Sequence, residues 1–239
     1  MSGVISFKNQ ALQFRDWGQS GGMSRLAELV GPDVSPTISG YVGELDRSSI
    51  PSTLPYDEII LCMEGVFRVR AEGTVYELGP ADAIWIPRGT VLHYEGVHAR
   101  VFITRYPGDW QTRPSRPEDG PHGWNRVKLV RRADVTLKPW GSDGRCSLAT
   151  YIDSEVSGTI GCSLSYFDQC SIPWTIHYDE FLVVIDGHYR MPVGDKVYEA
   201  TPGDVLWLPN GTALCYEGDK ALIFTSVYPV NWRARAQQT

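Results

Sequence analysis

The groups best suited to chemistry in this 239-residue chain come in two matching sets. Tyr56-Asp57-Glu58 precedes one apolar run, and Tyr178-Asp179-Glu180 precedes another 122 residues later. Downstream, His93-Tyr94-Glu95-Gly96 is matched by Cys215-Tyr216-Glu217-Gly218 at the same offset. Side chains alternate between the faces of an extended strand, so Tyr56, Glu58 and Ile60 share one face, as do Tyr178, Glu180 and Leu182. A carboxyl group placed in an apolar interior is desolvated and its pKa rises, which suits a general acid or base near neutral pH. A tyrosine beside it can orient a substrate or donate a proton. The competing reading is structural, with each glutamate hydrogen-bonded to tyrosines and tying strands together.

The elements that must position these groups are repeated too. Between Thr37–Trp110 and Thr159–Trp232, 30 of 74 positions are identical without a gap. A period this long marks a duplicated domain rather than a solenoid repeat. Each copy consists of short Val, Ile, Tyr, Phe and Trp runs bounded by turn residues roughly every 8–12 positions, the pattern of an all-β fold. Ser24–Val30 alone has a helical pattern, weakened by the strand-like Cys146–Ile152 at the matching place in copy two. Residues 1–112 are expected to form the first domain and 127–239 the second. The Pro-rich stretch Gln111–Trp124 falls at the linker, 113–126.

Bulk properties exclude several classes. With a net charge of −6 and no dense Lys/Arg cluster, the chain is not expected to bind nucleic acid; Arg131-Arg132 reads as a solvated loop. No run reaches 18 apolar residues, and the N-terminus lacks an apolar leader core, so no membrane partner is expected and the cytoplasm is the expected location. Five cysteines (Cys62, Cys146, Cys162, Cys170, Cys215), with no C-x-x-C pair, read as reduced thiols.

Gly203-Asp204-Val-Leu-Trp-Leu-Pro209-Asn-Gly211 resembles the second cupin motif, G-x5-P-x-G, and Glu180-x6-Gly187 resembles the tail of the first. Copy one matches through Glu58-x6-Gly65 and Pro87-Arg88-Gly89, with Ala81 in place of the opening glycine of motif two. The chain therefore resembles a bicupin, which implies two tandem double-stranded β-helix (jelly-roll) barrels, each open at one end. The Tyr-Asp-Glu triplets and the closing Tyr106-Pro-Gly-Asp-Trp110 and Tyr228-Pro-Val-Asn-Trp232 are similar to the ethanolamine-utilisation EutQ cupins. In the cupin register Leu92 and Tyr94 would join Glu58 in one lumen, and Leu214 and Tyr216 would join Glu180 in the other.

The resemblance also defines where a metal would sit. A metal cupin carries His-x-His before the motif-one glutamate and a further histidine after motif two. Those positions hold Ser52, Leu54 and Leu92 in copy one, and Trp174, Ile176 and Leu214 in copy two. One carboxylate per barrel is a poor transition-metal site, so no cofactor is expected. An atypical divalent site around Glu58 and His93 is the lesser alternative. His93 should face away from the lumen if Leu92 faces in, unless a bulge reverses it.

The candidate catalytic residues are Glu58, Tyr56, Tyr94 and His93. The candidate substrate-binding residues are Arg68, Glu180, Tyr178 and Tyr216, with Arg68 and its copy Arg190 able to meet an anion. Trp110 and Trp232 read as structural clasps. Copy one keeps His93, Arg100 and Arg105 where copy two has Cys215, Leu222 and Val227, so lobe one is expected to be the active one. The expected function is acid/base chemistry, of lyase or isomerase type, on a small polar metabolite. The alternative is a non-catalytic ligand-binding or accessory protein, and a homodimer is compatible with either. EutQ-type proteins are associated with acetate kinase activity, but no Walker-type glycine loop is present to hold phosphate.

Overall fold

The structure is a computed structural model that describes residues 3–18, 21–113, 126–141 and 145–236. Most of the expected linker lies outside the described residues. The chain forms two nine-stranded antiparallel sheets, one in each of two compact units. These are the two cupin barrels. The only α-helix among the described residues is Trp232–Ala236. Ser24–Val30 is not helical: it lies in the strand Met23–Val30, paired with Ser39–Asp46. Its buried residues pack against that sheet, and tertiary pairing overrides the weak local helical pattern.

The two units are each made of separate stretches of sequence. One comprises Gln13–Asp134 with Glu155–Ile160; the other comprises Met1–Leu12, Val135–Ser154 and Gly161–Thr239. The strand Ile5–Phe7 adds to Val205–Leu208 in the second barrel. Lys128–Val130 adds to Ala83–Ile86 in the first. Each added strand is fastened in the same way. Lys8 Nζ lies 2.9 Å from Asp204, which also accepts the Asn9 backbone N–H at 2.8 Å. Asp82 accepts the Arg132 backbone N–H at 2.7 Å, with Arg131 at 3.8 Å. Arg131-Arg132 is thus an anchor rather than a free loop.

In each barrel the motif-one glycine is needed by the backbone. Gly65 has φ +71° and Gly187 φ +76°, and a Cβ at either would meet a carbonyl oxygen, of His98 or Lys220, at 2.1 Å. Glycine alone tolerates both the left-handed φ and the close approach. Ala81 holds φ +66° where Gly203 has φ +88°, so copy one keeps the turn without the glycine.

The cysteine expectation needs one correction. Cys146 and Cys170 form a disulfide, with Cα atoms 6.7 Å apart, while Cys62, Cys162 and Cys215 are free. The pair joins two strands 24 residues apart in sequence, a proximity that spacing alone does not reveal. Copy one has Ser24 and Ser48 at these positions. No described helix is long and apolar enough to cross a membrane.

Candidate functional site

In the first barrel, Glu58 lies on the strand Asp57–Ala71 opposite Arg105 of Val91–Tyr106. Its carboxylate has no exposed surface. Arg105 Nε donates to Glu58 Oε1 at 2.9 Å, and the Tyr94 hydroxyl donates to Oε2. The guanidinium lies 4.5 Å from the ring centres of both Tyr41 and Tyr56, within cation–π range. Burial is the largest influence and disfavours the charged guanidinium, but Glu58, Tyr56 and Tyr94 together outweigh it and the Arg105 pKa rises above its ordinary value. Burial likewise raises Tyr56 and Tyr94, with Glu58 adding to the effect. Arg105 and the rings of Tyr41, Tyr56 and Tyr94 surround Glu58 inside the lumen, and all four are buried.

The second barrel keeps the frame and empties it. Glu180 stands opposite Val227 in the same register. Tyr41, Ile103 and Arg105 of copy one correspond to Ser163, Thr225 and Val227, and the three smaller side chains are only half-buried. They border a cavity of about 220 Å³. Glu180, Tyr178, Leu182 and Tyr216 line it, and the Tyr216 hydroxyl donates to Glu180 Oε2 at 3.2 Å. With no guanidinium in the place of Arg105, burial pushes the Glu180 carboxyl up to about 8, against the Tyr216 hydrogen bond that lowers it. A group with that pKa can hold or release a proton near neutrality. Tyr189, where copy one has Phe67, adds a buried hydroxyl with no hydrogen-bond partner among the described residues. Burial raises its pKa, with Glu180 the next cause.

A model of the family described as ethanolamine utilisation protein EutQ matches twice, over residues 4–112 and 118–234. This chain belongs to the EutQ family. It is 26% identical over 115 residues to acetate kinase EutQ of Salmonella typhimurium, covering 47% of this chain and 50% of that protein. It is 27% identical over 82 residues to acetate kinase EutQ of Clostridioides difficile, covering 34% and 52%. The chain thus spans about half the length of the curated EutQ relatives it matches. Among solved structures, Escherichia coli YlbA aligns with TM-score 0.76 at 10% identity, covering 95% of this chain and 90% of that one. A mutant of Bacillus subtilis oxalate decarboxylase OxdC aligns with TM-score 0.68 at 17% identity, covering 95% and 77%. At such identities the likeness carries the fold alone.

Against this EutQ frame, two candidate residues lie outside the lumina. His93 is exposed, with Nδ1 3.3 Å from the Ser49 hydroxyl, because strand alternation turns it away from Leu92 and Tyr94. Arg68 donates to Glu77 at 2.8 Å across a neighbouring strand, and its copy Arg190 pairs with Glu217. Neither meets the carboxylates. Glu58 is buried in the lumen and His93 is exposed on the other face, so the two side chains do not converge. Among the described residues no three His, Cys, Asp or Glu side chains cluster. With serine, leucine, tryptophan and isoleucine at the positions a metal cupin fills with histidine, the donor set does not fit a transition metal.

Three tryptophans belong to the site and were not candidates. Trp140, Trp174 and Trp232 line the cavity. Trp232 packs on Tyr178 at 4.9 Å, so the clasp is also a wall. The available signal was Trp174, which replaces Ser52 of copy one. The polar residue that distinguishes copy one, Arg105, closes its lumen.

Proposed function

We propose that this chain is a small-molecule-binding bicupin of a catabolic pathway, and that its second barrel performs acid/base chemistry of the lyase or isomerase type. The observation that carries the reading is a buried carboxyl, Glu180, facing a cavity with no protein cation paired to it. Glu180 is the general acid or base. Tyr216 holds it by a hydrogen bond, and Tyr178 stands beside it to orient the substrate. The cavity is smaller than the roughly 300–1,000 Å³ of drug-sized sites, so the substrate is a small metabolite. Thr150, Ser163, Ser165 and Thr225 provide hydroxyls for its polar groups. Glu58, held by Arg105, serves structure in the first barrel.

No metal takes part in this scheme. The acetate kinase named for the relatives is not carried over, because no glycine-rich phosphate loop is present in this sequence and only part of each relative is matched. The catabolic setting rests on the family description.

The test is a ligand screen on the full chain by thermal shift, followed by turnover assays on the hits. Ligands of the second barrel should stabilise the wild type and Glu58→Gln, and should lose that effect in Glu180→Gln. Stabilisation lost in Glu58→Gln and kept in Glu180→Gln would overturn the assignment. Binding without turnover of any hit would favour a non-catalytic ligand carrier.

A further inference from the structure

The two barrels present one recognition problem with two solutions. In the first, a carboxylate and the faces of two tyrosines hold a cation, the Arg105 guanidinium, 2.9 Å from Glu58 and 4.5 Å from the Tyr41 and Tyr56 ring centres. The cation comes from the chain itself. In the second, the carboxyl is kept at the same register, but the opposing residue is Val227. The Tyr41 ring is lost to Ser163, Tyr178 keeps the place of Tyr56, and Trp140, Trp174, Trp232, Phe167 and Tyr216 also border the cavity. Ring faces attract a desolvated cation through the negative face of their π-systems, tryptophan most strongly.

We infer that the second cavity binds a small organic cation, an ammonium compound whose charged nitrogen takes the place of the Arg105 guanidinium beside Glu180. This rests on the proposed reading of that cavity as the ligand site and names its ligand class. The ammonium group would meet the ring faces and Glu180, whose proton passes to solvent as the cation enters and leaves the carboxylate, and the ligand's polar remainder would reach the hydroxyls of Ser163, Ser165 and Thr225. Arg233 does not fill the role. Its guanidinium lies 4.5 Å over the Trp232 ring, on an exposed side chain at the rim.

Three probes of similar shape separate the charges: tetramethylammonium, uncharged tert-butanol and anionic pivalate. Binding to the full chain can be followed by tryptophan fluorescence and by ligand-observed NMR. Tetramethylammonium should bind at least about tenfold more tightly than tert-butanol, a difference of about 1.4 kcal/mol, and pivalate should bind most weakly. Glu180→Gln should weaken tetramethylammonium at least about tenfold while changing tert-butanol by less than about threefold. Val227→Arg supplies the internal cation of the first barrel and should abolish all binding. Ser163→Tyr, which restores the first barrel's tyrosine, is the second plug if Val227→Arg does not fold. If tert-butanol or pivalate binds as tightly as tetramethylammonium and the plug abolishes it, the cation inference fails and the cavity reading stands. Absence of saturable tetramethylammonium binding also overturns the inference. If tetramethylammonium or any other probe binds and neither plug changes its affinity, the cavity is not the site and both fail.

Discussion

Arg105 Nε donates to Glu58 Oε1 at 2.9 Å inside the first barrel, and both side chains are almost wholly removed from solvent. A charged pair at such depth stabilises only while both members remain, because a lone buried charge has no compensation. Arg105→Ala is therefore expected to destabilise the protein by about 3–5 kcal/mol. Combining it with Glu58→Gln should restore part of the loss. Chemical denaturation of the single and double variants measures both. A loss below about 1 kcal/mol for Arg105→Ala would show that the pair does not brace the barrel.

Val227 at the matching position leads to the opposite expectation for the second barrel. Val227→Arg should reach Glu180 across the same strand pair and fold, because the register is shared. It should also bring the Glu180 pKa down from about 8 into the carboxylate range, since an adjacent guanidinium favours the ionised form. Carbon-detected NMR of the glutamate carboxyls reads this directly. An unchanged Glu180 titration in a folded Val227→Arg protein would contradict the equivalence of the two sites.

Stability should also depend on pH through Glu180. Its pKa rises from 4.5 in the unfolded chain to about 8 in the fold, so the folded state binds this proton more tightly. The resulting stabilisation is fully present below pH about 4.5 and is lost as pH rises through about 8. Between these limits the slope approaches 1.4 kcal/mol per pH unit. Glu180→Gln removes this dependence, so the variant should gain on the wild type as pH rises across that window. Parallel denaturation curves from pH 5 to 9 would remove Glu180 as the source.

Much of this was legible in the sequence, and the reasons differ residue by residue. The 122-residue offset carried the duplicated β fold, and strand parity brought Tyr178, Glu180 and Leu182 to one face, with Tyr216 from the next strand. Parity also turned His93 outward. What stayed hidden depends on chain paths rather than on local pattern. Ile5–Phe7 and Lys128–Val130 are too short to announce a partner, and nothing in their composition says which sheet they complete. The Cys146–Cys170 contact is created by folding. The first lobe's extra polarity read as function because a sequence does not show whether Arg105 faces a ligand or its own glutamate. The substitutions Tyr41 to Ser163 and Arg105 to Val227 are visible in the sequence, but only the register of paired strands shows that they face one lumen.

The central claim is that Glu180 is a buried, proton-holding carboxyl in an open barrel. The most direct measurement is a pH-difference infrared titration of the carboxyl C=O band, compared between wild type, Glu180→Gln and Glu58→Gln. The account predicts a protonated carboxyl band with a midpoint near pH 8, absent in Glu180→Gln and retained in Glu58→Gln. A Glu180 band that titrates at the ordinary carboxylate pH, or a high-pH band that disappears in Glu58→Gln instead, would contradict it.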